Sequence, residues 1–459
     1  MRKILLLAAA FPSLALAQPA RHDPAALRDA ALHGDQLAWD IVEGLTTEVG
    51  PRQAGTEAEE RARQWAVRRL TALGFSNVRI EPFEMPVWVR GEERAWIVSP
   101  FPQPLVLTAL GNSGATPPQG IEAEVVAFDS VAELEAAPDS AVRGKIVFID
   151  HNMQPTQDGS GYGQFGAPRR QGPTIASRKG AAAIVVRSIG TDHHRNPHTG
   201  VQVFGEGARP IPAAALSVPD AEQLKRILRR GQPVRMRLVL TPRNIGTRQS
   251  GNVVAEVPGS DPDAGVIVIG GHLDSWDTGT GAIDDAAGIG ITVAAAHRIM
   301  QAGQPRRTIR VVLFGAEEVG GGGGPTHYRL HSGENNVVLV GESDFGADRI
   351  WRVNFTLAPE NAALADRIAA ALAPLGILRG RDRATAGADL GVWPRNGVAA
   401  IDLNQDGTRY FDYHHSPDDT LDKVDPEQLR QNVAAWTAVL AIAANAPEPI
   451  ARVAPARDE

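Results

Sequence analysis

The sequence predicts an α/β protein: a three-layer sandwich around a mostly parallel central sheet, interrupted by an inserted, mostly β domain. Three observations carry this. From Gly251 onward, short continuous apolar runs alternate with helical stretches, the pattern of strands covered on both faces. Between about Pro117 and Arg243 the texture changes to brief strand-like runs separated by Gly, Pro and Asp turns. At 459 residues, 43% of them hydrophobic, the chain can form two or three domains with a sizeable core.

Taken in order, residues 1–17 read as a signal peptide. Arg2 and Lys3 precede the apolar run Ile4–Leu16, and Ala15-Leu16-Ala17 supplies small residues for cleavage after Ala17. That run is too short for a comfortable membrane span. The expected location is therefore outside the cytoplasm, periplasmic or extracellular, with no membrane anchor. The chain has no cysteine, which excludes cysteine-linked lipid, disulfides and thiolate metal sites. A net charge of -7 gives no electrostatic reason to expect nucleic acid as a partner.

The main domain is expected from 18–117 and 244–446, with 118–243 as the insertion. Its first part holds a helix over His22–Glu48, a second over Thr56–Leu73 and an extended segment, Asn77–Glu84. Thr56 and Glu59 have capping-box spacing just after the Gly50-Pro51 break. The insertion offers strands at Ala123–Phe128, Lys145–Ile149, Ala182–Val186 and Val234–Leu240. The second part offers strands at Asn252–Val257, Val266–Gly270, Ile309–Phe314, Val337–Gly341 and Val398–Leu403. Helices are expected at Ala286–Gln301, Pro359–Ala373 and Pro426–Ala444, the last capped by Asp425 with Pro426 at its first position. Residues 447–459, rich in Pro and charge, read as a flexible tail.

In open α/β sheets, ligands gather at the carboxyl ends of the strands, and the candidate metal ligands fall there. His272 and Asp274, two apart, face one side of an extended chain, so Asp274 is expected to hydrogen-bond the His272 ring. Asp284, in a glycine-flanked Asp-Asp pair, is placed to bridge two cations, and either Asp284 or Asp285 can also cap the following helix. Glu317 and Glu318 are adjacent carboxylates at an apolar strand end and need a positive partner; one can bind metal while the other stays free as a base. Asp344 offers the next oxygen. In Tyr413-His414-His415-Ser416, His415 is the expected ligand and His414 a structural residue. Imidazoles and carboxylates with a shared Asp suit paired Zn2+, with Co2+ or Mn2+ chemically admissible.

These residues lie in GGHLDSWDTGTGAIDDAAG, FGAEEVGGGG, GESDFG and YHHSPDDT. With GPRQAGTEAEERARQW, PHTGVQ and IPAAALSVPDAE, which extend the match over nearly the whole mature chain, the sequence resembles the co-catalytic di-zinc exopeptidases, and within them the carboxypeptidase Q group. The resemblance implies a zinc exopeptidase fold, a protease-associated domain as the insertion, and a homodimer. It assigns one zinc to His272, Asp344 and bridging Asp284, and the other to Asp284, Glu318 and His415. It puts Glu317 at the general base position, Asp274 behind His272, and a non-proline cis peptide at Asp284-Asp285. The run Asp285-Ala286-Ala287-Gly288 departs from the glycine-richer version of that group.

The expected activity is hydrolysis of dipeptides or short peptides by a zinc-dependent exopeptidase, with Asp389 as a candidate partner for a substrate α-amine. A di-zinc amidohydrolase acting on acylated amino acids shares H-x-D and E-E but inserts its lid after E-E, whereas this insertion precedes H-x-D. A non-catalytic binding protein on the same fold is disfavoured by the complete ligand set and Glu317. Gly320–Gly324 lacks a following G-K-[ST] and reads as a substrate-side loop. His193 and His194 read as solvated, His198 as lying near the site's mouth, and Trp276 and Asp277 as shaping the pocket. Arg169, Arg170 and Arg178 read as surface charges, one of them available to a substrate carboxylate.

Overall fold

In the computed structural model, which describes residues 22–454, the apolar runs after Gly251 pair as neighbours in one eight-stranded sheet. The predicted signal peptide, 1–17, lies outside the described residues. The strand order is Ser76–Val89, Arg243–Val257, Thr308–Phe314, Val266–His272, Val337–Glu342, Ala399–Gln405, Ile350–Thr356 and Leu378–Arg379. The four central strands, from Thr308–Phe314 to Ala399–Gln405, run parallel. Antiparallel partners flank them on both sides.

The β-branched run Val266–Ile269 shows why the centre is parallel and covered. Ile267 and Ile269 point into one core with the helices Ala287–Ala302 and Pro426–Ala443, while Val266 and Val268 enter a second core with Trp393 on the other face. Burying each such side chain contributes roughly 1.5–3 kcal/mol. Helices therefore cover both faces, giving three layers.

Several local expectations change. The helix expected over His22–Glu48 is broken at Asp35 into Pro24–Gly34 and Leu37–Gly44, because the Asp35 carboxylate accepts from Ala38 N–H at 3.0 Å and caps the second segment. The strand Arg243–Val257 is longer than the apolar run Asn252–Val257, since Ser76–Val89 pairs along its whole length. Ile350–Thr356 is an additional strand. Within the expected tail, residues 447–453 pack against the domain: Arg307 donates to the carbonyls of Ala443, Ala446 and Glu448, Ile450 is buried, and Val453 N–H bonds Gly397 O.

A second eight-stranded sheet has the order Gln103–Leu105, Glu93–Ser99, Arg235–Leu240, Ile121–Phe128, Ile146–Ile149, Ala183–Arg187, Ala213–Leu216 and Leu107–Ala109. It recruits strands from Glu93 onward, upstream of the expected boundary at 118. It also carries the helices Gly172–Arg178 and Val218–Leu228, so the unit is mixed α/β instead of mostly β. Among the described residues, no helix is long and apolar enough to cross a membrane.

Candidate metal centre

The parallel strands end on one rim, and their polar termini converge there. His272 is the last residue of its strand, Glu317 and Glu318 follow the strand ending at Phe314, and Asp344 follows the strand ending at Glu342. His272 Nε2 lies 2.9 Å from Asp284 Oδ1 and 3.4 Å from Asp344 Oδ1. His415 Nε2 lies 2.8 Å from Glu318 Oε2 and 3.4 Å from Asp284 Oδ2. Asp284 thus turns one oxygen toward each histidine. Its Oδ2 is buried without a hydrogen-bond partner. His414 also approaches Asp284 Oδ2, at 3.5 Å, but Glu318 pairs with His415. The peptide Asp284-Asp285 is cis.

This donor set fits paired cations. Burial pushes the Glu318 carboxyl well above its usual range, and the Asp284 charge adds to the shift. Burial likewise raises Glu317 and Asp284. Burial holds His415 well below the usual imidazole range, leaving it a neutral donor with a free lone pair. Burial also disfavours charge on His272, but the Asp344 and Asp284 carboxylates outweigh it and raise that ring. Carboxylates crowded in a dry site need positive charge, and hard oxygen and imidazole donors without thiolate suit zinc, cobalt or manganese.

The loop before Asp284 is held by residues outside the ligand set. Arg52, fully buried, donates to the carbonyls of Leu273, Thr280 and Gly281 at 2.5–2.8 Å. Asp419 Oδ1 accepts from Ala282 and Ile283 N–H, and its burial lifts its pKa to about 7. Asp285 is spoken for by the main chain, accepting from His272 and Gly288 N–H. Gly288 must be glycine, since a Cβ there would meet Ser343 O at 1.8 Å. The sequence signals for Arg52 and Asp419 were the matched segments GPRQAGT and SPDDT, whose internal roles local spacing does not reveal.

Asp274 is placed differently from the expectation. His272 Nδ1 bonds the main-chain carbonyl of Asp274 at 2.9 Å, with the carboxylate 3.7 Å away. The carboxylate instead accepts from the N–H groups of Glu317 and Glu318. The cause is the turn after Phe314: Ala316 has φ 62°, which aims both amides back at Asp274.

A cavity of about 490 Å3 contains Asp284, Glu317, Glu318, Asp344, His415 and Asp389. Asp389 Oδ1 accepts from Gly324 N–H, its Oδ2 is unpartnered, and burial raises its pKa to about 8. Gly320 and Gly321 line the same cavity. Asp277 is gripped by Arg90, which also donates to Ala109 O and Thr199 Oγ1. Trp276 packs into the core of the second sheet and lines an adjoining groove of about 310 Å3. His198, expected near the site's mouth, is buried beside the His414–His415 pair, between Asp192 Oδ1 at 2.7 Å and His414 O at 2.6 Å. His193, His194, Arg170 and Arg178 are exposed, whereas Arg169, expected at the surface, is buried in the cavity wall.

Comparison with known proteins bears on this arrangement. Residues 252–440 match the model of Peptidase family M28. The chain is 36% identical over 411 residues to carboxypeptidase Q of Bos taurus, covering 89% of this chain and 85% of that protein. It is 36% identical over 410 residues to carboxypeptidase Q of Homo sapiens, with the same shares covered. The crystal structure of a peptidase M28 precursor from Shewanella amazonensis SB2B superposes with a TM-score of 0.92 at 45% identity, over 95% of this chain and 99% of that one. An aminopeptidase from Aneurinibacillus sp. strain AM-1 shares the fold, with a TM-score of 0.63 at 21% identity over 96% and 99% of the two chains. The chain belongs to peptidase family M28 and is a metallo-exopeptidase homologous to carboxypeptidase Q.

Proposed function

We propose that this protein is an exported, zinc-dependent exopeptidase that hydrolyses dipeptides or short peptides. The observation that carries the reading is Asp284, whose two oxygens face two histidines in a carboxylate-rich cavity, one of them otherwise unpartnered. His272, Asp344 and Asp284 would hold one metal ion, and Asp284, Glu318 and His415 the other. Bound there, such a pair lowers the pKa of a shared water and polarises the scissile carbonyl. Glu317, next to Glu318 in the same cavity, is the general base. It accepts a proton from the attacking water and delivers it to the leaving amine as the C–N bond breaks. Burial of Glu317 raises its basicity for that work. Asp389, with a free buried oxygen in the same cavity, is suited to a substrate α-amine.

Residues 93–240 form the protease-associated domain of this reading, and residues 1–17 the export signal. A homodimer follows from the family resemblance, and sedimentation tests it. Metal analysis of purified protein should find two zinc ions per chain. Hydrolysis of a free dipeptide should stop on chelation and return with Zn2+. Protein without metal or chelator-sensitive hydrolysis would instead be a binding protein, and preference for N-acetylated amino acids would mark an amidohydrolase.

A further inference from the structure

We propose that Arg169, supplied by the second-sheet unit, receives a substrate carboxylate in the metal cavity, restricting the site to short peptides that carry that carboxylate just beyond the cleaved bond. The inference rests on the exopeptidase reading above and adds the substrate class.

Arg169 lies in the last turn of the short helix Ala167–Arg170 and is 5% exposed, yet it lines the cavity shared by Asp284, Glu317, Glu318 and His415. Its guanidinium donates to Tyr162 Oη at 2.6 Å and to Thr199 O at 3.2 Å, and Nε is buried with no partner. Among the described residues, no carboxylate pairs with it. A guanidinium offers five N–H donors, so three remain unused. Other buried arginines are matched: Arg187 by Asp150, Arg310 by Glu256, and Arg52 by three carbonyls. Burying a cation without an anion is unfavourable, and a planar fork facing a cavity is the natural mate of a carboxylate.

The surroundings are shaped to hold this group. The Tyr162 ring lies 5.2 Å beneath the guanidinium and stacks on Phe411. Gly200 has φ 138°, and a Cβ there would fall 2.0 Å from Arg169 Nη1. The position is also informative. Thr199 bonds Arg169 through its carbonyl and His415 O through its N–H, so Arg169 hangs on the His415 end of the cage. Asp389 N–H bonds Glu342 Oε2, at the strand end that leads to Asp344. A dipeptide with its carbonyl between these ends has one charged group for each: the amine for Asp389 and the carboxylate for Arg169. A cavity of about 490 Å3 suits such a ligand.

The carboxylate has two possible sources, the peptide's C-terminus or an acidic side chain, and three substrates separate them: Ala-Ala, Ala-Ala amide and Ala-Glu amide. The zinc-loaded wild type should cleave Ala-Ala about 10- to 100-fold better than its amide, as a charge-assisted bidentate contact warrants. Arg169→Met should collapse that ratio through KM, and Arg169→Lys should restore part of it. Preference for Ala-Glu amide over Ala-Ala amide would assign the contact to a side chain. Zinc content and thermal midpoint report whether each variant is folded. Equal wild-type rates on all three substrates overturn the proposal, as does an Arg169→Met variant slowed equally in kcat on all three, the mark of charge balance alone. Calorimetric binding of Ala-Ala and its amide gives a readout independent of turnover. Wild type that prefers the acid in binding, but hydrolyses nothing, keeps Arg169's role and overturns the peptidase reading.

Discussion

The carboxylate of Asp274 accepts a 3.0 Å hydrogen bond from the main-chain N–H of Glu317. Its second oxygen accepts from Glu318 N–H at 3.3 Å. Asp274 therefore positions the Glu-Glu pair, while its own carbonyl orients the His272 ring. A carbonyl can only accept, so Nδ1 carries a proton and Nε2 is the ring atom turned toward Asp284. In Asp274→Asn, one acceptor becomes an amide donor facing an N–H group. We expect kcat/KM to fall about 10- to 100-fold while zinc content is kept. Zinc loss in step with activity would put the carboxylate's role on the histidine instead.

Glu317 and Glu318 are neighbours in sequence but differ in pairing: Glu318 pairs with His415, while among the described residues no side chain pairs with the Glu317 carboxylate. Glu317→Gln keeps shape but cannot accept the water proton, so kcat should drop about 100- to 10,000-fold with metal content intact. Glu318→Gln should instead weaken metal retention, read by dialysis against a chelator and elemental analysis. Near-normal turnover in Glu317→Gln would remove the base assignment.

Arg52 ties the His272 strand end to the loop before Asp284 through three buried carbonyls. Arg52→Ala leaves those acceptors without donors, and each unmet buried group costs about 1–3 kcal/mol. The expected result is a loss of at least about 3 kcal/mol in denaturant unfolding, with weaker metal binding, because the loop carrying Asp284 loses its brace. Unchanged stability would mean that the loop finds other donors.

How much of this was readable in the sequence depends on the range of the interaction. Runs such as Val266–Ile269 end abruptly in His or acidic residues, and that local switch points to the rim where His272, Glu317, Glu318 and Asp344 meet. The direction of the Asp274 carboxylate was not readable, because it follows from the positive φ of Ala316, forty-odd residues away in the chain. Arg169 looked like a surface charge among Arg and Gln neighbours; its burial comes from Tyr162, Thr199 and the His414–His415 loop packing around it. The second sheet's early start at Glu93 is likewise long-range, since that strand pairs with Arg235–Leu240.

A final prediction concerns a cluster away from the cavity. On the helix Gly323–His331, His327 and His331 are four apart and share a face. Both reach Glu81, at 2.9 and 2.8 Å, and Arg79 joins at 2.8 Å. Burial would raise Glu81, but the hydrogen bonds from His327 and His331 outweigh it and hold the carboxyl far below its usual 4.5. The hydrogen bond to Glu81 raises His331 above its usual 6.5. A lowered carboxyl stabilises the fold above the unfolded value of 4.5 and loses this as pH falls; a raised imidazole stabilises below 6.5 and loses this as pH climbs through its folded value. Both contributions are present together between those two values. The thermal midpoint difference between wild type and Glu81→Gln should therefore be greatest near pH 6. It should shrink toward alkaline pH as His331 discharges, leaving the part due to the ion pair with Arg79. A difference that does not change between pH 6 and 9 would show that His331 carries no charge in this pair.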